Sequence, residues 1–194
     1  MTSEIRTSFS RLPWSGGRTT ELYIYPPEAK YAKRDFLFRI SSATVEIENA
    51  TFTSLPDIHR TLMILEGEIR IHHEGQYDKE MKKFDIDSFQ GSWKSTSKGR
   101  CIDFNLMCSA EANGTVEAIL MDKGASITLQ TDSDYRWNFY YVHKGMMTFH
   151  LEEHSGELHA GSLLLLESAQ KIDLKLHSLE QVELVSCHVM HHIP

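Results

Sequence analysis

The sequence predicts an all-β chain folded as two jelly-roll β-barrel units. Three observations carry this. Hydrophobicity alternates with a period of two along most of the chain, as in half-buried strands. The alternating runs are short and are broken by Gly, Asp, Asn and Ser. The pattern also repeats once: Leu65-Glu66-Gly67-Glu68-Ile69-Arg70-Ile71 and Val142-His143-Lys144-Gly145-Met146-Met147-Thr148-Phe149 each read as strand, glycine turn, strand. The two glycines lie 78 residues apart, and second turns at Gly75 and Gly156 lie 81 apart. The expected units are residues 1–112 and 113–194.

In chain order, the first element is PWSGGRTTELYIYPP, from Pro13 to Pro27. A phosphate loop needs wider glycine spacing, a lysine and a following helix N-terminus. Here Gly16-Gly17 leads instead into an alternating strand. The reading is a turn that lays Trp14 near a barrel mouth, with Thr19 and Glu21 on one side of the strand. Phe36, Phe38 and Ile40 then oppose Leu37, Arg39 and Ser41. Thr61 to Leu65 is apolar on both faces and reads as a buried strand. Asp78 to Phe84 fits a short helix or a strand. Ile102, Phe104 and Leu106 oppose Asp103, Asn105 and Met107. Longer strands, Cys101 to Cys108 and Gln181 to Met190, close the two halves. A glycine between apolar runs, a second turn and a Gly-Ser-Leu-Leu-Leu-Leu strand from Gly161 resemble a bicupin.

Composition excludes several function classes. The formal net charge of -7, with scattered lysines and arginines, argues against nucleic-acid binding. Lys79, Lys82 and Lys83 form the densest basic cluster, and Glu80, Asp85 and Asp87 surround it. No run approaches the ~20 apolar residues of a membrane helix, and no signal-peptide stretch opens the chain. A cytoplasmic, reduced setting is expected, with Cys101, Cys108 and Cys187 as buried small hydrophobes.

A metal-binding cupin places His-x-His on one strand face, with a carboxylate and a further His downstream. The first half has Arg60 where that carboxylate is expected, and only His59 nearby. Tyr135 to Tyr141 contains no histidine. Of the 11 histidines, His72, His73, His150 and His154 are placed at exposed hairpin tips. His188, His191 and His192 are placed in a frayed tail. No metal and no other cofactor is expected.

The informative residues are polar ones inside apolar strands. Arg60 opens a buried strand, Arg39 interrupts another, and Asp103 and Asn105 share one face of a third. A buried cation needs a partner or a ligand. Two readings fit: a cavity for a small organic acid, with arginine forks holding a carboxylate, or an Arg–Asp clasp between strands.

Ordered motifs over the first half resemble the HutD/Ves family. They are Pro13-Trp14-x-Gly16-Gly17-x-Thr19-x-Glu21, Pro26-Pro27-x-Ala29, Asp35-Phe36-x-Phe38-Arg39-Ile40-Ser41-x-Ala43, Phe52-Thr53-Ser54-Leu55-Pro56-x-x-x-Arg60 and Asp103-Phe104-Asn105-Leu106-Met107. Ser15, Arg18 and Asp57 depart from the family pattern, the first two in a loop expected to border the pocket. The second half resembles the family only in strand pattern. The resemblance implies a metal-free bicupin, associated with histidine utilisation, that binds an intermediate such as formylglutamate or urocanate and allows a regulatory role. The site it implies comprises Trp14, Thr19, Arg39, Ser41, Arg60, Asp103 and Asn105, with no catalytic set.

Two other readings stay open. An enzyme would use Asp103 with His59 and a strand tyrosine for acid–base chemistry, as metal-free epimerases do. An assembly module would form a homodimer through Met146, Met147, Phe149 and Leu151, which otherwise fill the second core.

Overall fold

A computed structural model describes residues 1–152 and 154–191. Among these the chain forms strands and one short 3-10 turn, Tyr31–Lys33. The first eleven strands are β1 (Thr2–Arg6), β2 (Ser10–Trp14), β3 (Gly17–Tyr25), β4 (Phe38–Val45), β5 (Asn49–Thr51), β6 (Ile58–Gly67), β7 (Ile69–His73), β8 (Tyr77–Met81), β9 (Ile86–Gln90), β10 (Ser95–Lys98) and β11 (Cys101–Ser109). The others are β12 (Ala112–Met121), β13 (Ser126–Gln130), β14 (Trp137–Lys144), β15 (Met146–Leu151), β16 (His154–His159), β17 (Leu163–Glu167), β18 (Asp173–Ser178) and β19 (Val182–His191). No helix among the described residues is long and apolar enough to cross a membrane.

The chain divides into two compact units, Phe9–Asn113 and Gly114–Pro194 with Met1–Ser8. The first eight residues therefore leave the unit to which residues 1–112 were assigned. β1 pairs antiparallel with β17, Ser3 opposite Leu166. Its residues are mostly exposed, so backbone pairing rather than a hydrophobic pattern places it.

The internal repeat is visible in strand order. The first unit has sheets β2-β3-β4-β11-β6-β9 and β5-β10-β7-β8. The second has β1-β17-β14-β19-β12 and β13-β18-β15-β16. The order 4-11-6-9 recurs as 12-19-14-17, and 5-10-7-8 recurs as 13-18-15-16. All ladders end in edge strands, so each unit is a pair of open sheets rather than the closed barrel expected. The repeated glycines hold matching places: Gly67 and Gly145 have φ of 79° and 86°. A Cβ there would stand 2.3 Å from the Arg100 carbonyl oxygen and 2.2 Å from that of Gln181, far inside contact distance.

Several local expectations are corrected. For Asp78 to Phe84, read as a helix or a strand, the strand alternative holds over its first residues, in β8. His73 is fully buried instead of lying at an exposed tip, because β7 turns it inward with Ile69 and Ile71. His72, His150 and His154 are exposed. His188 and His191 belong to β19 rather than a frayed tail, and His192 lies outside the described residues. Met147, Phe149 and Leu151 pack into the second unit's core with Tyr140, Leu164 and Leu174. The proposed assembly surface is thus mostly interior. All three cysteines are buried thiols.

Candidate functional site

Period-two alternation builds the site. On β4 it turns Arg39, Ser41, Ala43 and Val45 to one face, and on β11 Cys101, Asp103, Asn105 and Met107. All eight line one cavity of about 350 Å³ within the first unit, between its two sheets. Cross-strand register orders them into rows. Thr19, Ala43 and Asp103 stand abreast, as do Glu21, Ser41 and Asn105. Arg39, Met107, Arg60 and Phe89 form a third row. The two arginines are therefore two strands apart, about 10 Å along the hydrogen-bonding direction. Register shifts interrupt β6–β11 at Ile102/Asp103 and β3–β4 at Glu21/Tyr23. Such bulges re-aim side chains locally.

The two arginines differ in their surroundings. Arg39 donates from Nε to Glu21 Oε2 at 2.7 Å and from Nη1 to Ser41 Oγ at 3.1 Å. Its guanidinium lies 4.5 Å from the centre of the Tyr31 ring. Arg60 instead rests on aromatic faces, 5.0 Å from the Phe52 ring and 5.2 Å from the Phe89 ring. It is 5% exposed, and its Nε has no hydrogen-bond partner. Asn105 Oδ1 and Trp14 Nε1 are likewise buried without partners.

Burial sets the charges. It lowers the Arg60 guanidinium to about 10, an effect that Asp103 opposes and Arg39 reinforces. Burial pushes the Asp103 carboxyl up to about 7, against Arg60 and the Ala43 backbone N–H. At neutral pH Arg60 is a cation, while Asp103 sits near its titration midpoint. Burial also raises the Cys101 thiol to about 12, which disfavours the thiolate at this lining residue.

A family model for HutD matches residues 6–184. The chain belongs to the HutD family. No curated protein matches it. Among solved structures it is similar to the conserved protein of unknown function PA5104 from Pseudomonas aeruginosa, with a TM-score of 0.84 at 18% identity, covering 98% of this chain and 100% of that one. It is similar to HutD from Pseudomonas fluorescens, with a TM-score of 0.75 at 16% identity over 98% and 99% of the chains. A mutant oxalate decarboxylase from Bacillus subtilis matches with a TM-score of 0.73 at 6% identity, over 99% of this chain and 78% of that one. At these identities the likeness shows the fold, which is all-β and cupin-like.

The HutD motifs of the first half converge. Trp14, Thr19, Arg39, Ser41, Arg60, Asp103 and Asn105 all line the cavity. Trp14 reaches it because Gly16 lies under its indole: a Cβ on Gly16 would be 2.2 Å from a ring carbon. The departures lie elsewhere. Arg18 is exposed near Glu46, and neither it nor Ser15 lines the cavity. Asp57 adopts a left-handed φ of 63°, which Gly takes freely and Asp better than most residues.

Sequence reasoning missed Tyr31 and Phe52 in the lining. It also missed Glu21 as the partner of Arg39, although Glu21 shares the strand side of Thr19. His59 is not in the cavity. It lies opposite to Arg60 along β6, its Nδ1 3.4 Å from Gln90 Nε2, so the acid–base pair with Asp103 is not assembled. The lining does not fit a divalent cation either, since guanidiniums are donors only. Among the described residues no three His, Cys, Asp or Glu side chains gather as a metal set.

Proposed function

We propose that the first unit's cavity binds a small organic acid without a metal, and that the protein works as a binding or sensing module rather than by turning its ligand over. The observation that carries this reading is the convergence of three unpartnered buried atoms, Arg60 Nε, Trp14 Nε1 and Asn105 Oδ1, on one cavity. Buried polar groups nearly always have partners. Two of these three donate and one accepts. A carboxylate satisfies the donors, and an N–H on the same molecule satisfies Asn105. The volume, at about 30 Å³ per water-sized group, holds roughly a dozen non-hydrogen atoms.

N-formylglutamate and urocanate, intermediates of histidine breakdown, meet both requirements. They accord with the association of the HutD family with histidine utilisation. The paired sheets of each unit are read as the halves of a jelly roll, making the chain a bicupin. Cysteines kept as thiols suit a cytoplasmic setting.

Thermal-shift measurements with these acids test the reading. A ligand at a hundred times its Kd adds about 2.7 kcal/mol of stability. The shift is expected to vanish in Arg60→Ala and to shrink in Arg39→Ala. No shift from any histidine-pathway acid, or an undiminished shift in both variants, contradicts it.

A further inference from the structure

Arg60 serves as an anion receptor only if its guanidinium is held ready, and aromatic rings hold it. Phe52 and Phe89 meet edge to face, their centres 5.9 Å apart. Phe89 stands directly opposite Arg60 in the β6–β9 register. It also packs on the His73 ring, centre to centre 4.5 Å.

His73 is gripped at both nitrogens. Nδ1 lies 2.6 Å from Ser95 Oγ, and Nε2 lies 3.0 Å from Asp87 Oδ2. Asp87 shares the inward face of β9 with Phe89. It accepts further bonds from the Tyr77 hydroxyl at 3.0 Å and Lys79 Nζ at 3.2 Å. Burial alone would raise the Asp87 pKa; the bonds from His73, Tyr77 and Lys79 outweigh it and hold the group below its ordinary value. The Asp87 carboxylate accepts from Nε2–H, while Nδ1 shares a bond with the Ser95 hydroxyl, which also reaches the Trp93 carbonyl oxygen at 3.2 Å. β7, β8, β9 and β10 all contribute to this clasp, which joins the unit's two sheets. Apolar residues of equal volume are often as good for stability at such a place, so the fixed orientation of the ring is what the clasp adds.

We propose that His73 is a positioning residue for Arg60, acting through Phe89. Its two hydrogen bonds fix the ring against which Phe89 packs, and Phe89 with Phe52 sets the guanidinium where its free Nε meets an incoming anion. Part of the ordering cost of binding is thereby met in advance. The proposal rests on the acid-binding reading of the cavity.

The test follows the Arg60 Nε–H signal in proton–nitrogen spectra of the full chain, assigned by its loss in Arg60→Lys. Ring currents from Phe52 and Phe89 displace this signal in the native protein. In Ser95→Ala, which frees one side of His73, the signal moves toward that of exposed arginines and exchanges faster with water. Phe89→Leu produces the same displacement, and adding Ser95→Ala to it changes nothing more. His73→Phe is the stronger variant where it folds. Affinity for N-formylglutamate falls about three- to tenfold in Ser95→Ala. An unmoved Arg60 signal in folded Ser95→Ala overturns the positioning role, whether or not the acid binds. A signal that moves as expected, in a protein that binds no acid, supports the positioning and overturns the cavity's proposed function instead.

Discussion

Replacing Arg60 with Met separates a residue kept for a ligand from one kept for the fold. Arg60 is 5% exposed, and burial lowers its guanidinium pKa from the ordinary value to about 10. A depression of that size disfavours the charged form by roughly 3 kcal/mol in the folded state. For a base with a lowered folded pKa this cost is present below about pH 10 and is relieved as pH rises toward the ordinary guanidinium value. Contacts with Phe52 and Phe89 return about 1 to 2 kcal/mol, and a Met thioether between the rings recovers much of that. Asp103, without its cation, stays protonated at neutral pH and leaves no unpaired charge. Ligand-free Arg60→Met is therefore expected to be more stable by about 1 to 2 kcal/mol, raising Tm by about 2 to 8 °C. Acid binding should weaken about 10- to 150-fold with the loss of charged hydrogen bonds. Scanning calorimetry without ligand and titration calorimetry with N-formylglutamate measure the two. A lowered Tm with unchanged affinity refutes the reasoning and makes Arg60 a structural clasp.

Asp103→Asn should flatten the pH dependence of stability. A carboxyl whose folded pKa is raised from 3.8 to about 7 keeps its full stability below pH 4 and loses it as pH climbs to 7. The native protein thus loses up to about 4 kcal/mol over that window, measured by urea denaturation at stepped pH, and the variant does not. Native affinity for an anion should fall as pH rises through 7, where Asp103 ionises beside the site. Asn105→Leu should discriminate ligands: an acid carrying an N–H loses about tenfold in affinity, one without it loses little, and equal losses would remove Asn105 from recognition. Gly16→Ala should push the Trp14 indole off the cavity wall, read as a change in the fluorescence difference from Trp14→Phe and as weaker acid binding. Unaltered emission and affinity would take Trp14 out of the site.

The repeat was readable because glycines such as Gly67 and Gly145 occupy places where a Cβ meets a carbonyl, so position and residue type are tied. The cavity wall was readable because β4 and β11 are buried on both faces, and Arg39, Arg60, Asp103 and Asn105 interrupt otherwise apolar strands. What the sequence left hidden depends on contacts between distant segments. Tyr31 comes from a 3-10 turn with no period, and the bonds that satisfy a buried His73 come from partners on β9 and β10. β1 was misassigned because an exposed edge strand is recruited by its backbone, which leaves no pattern in side chains. Met147, Phe149 and Leu151 were readable as core from their alternation, and they pack in the second unit's core.

The most direct test of the central claim is a crystal structure of the protein with N-formylglutamate at saturating concentration. The account places a carboxylate of the acid within about 3.2 Å of Arg60 Nε, and the amide N–H of the same molecule on Asn105 Oδ1. Acid bound outside the first unit's cavity, or bound inside it with Arg60 Nε still unpartnered, contradicts the account.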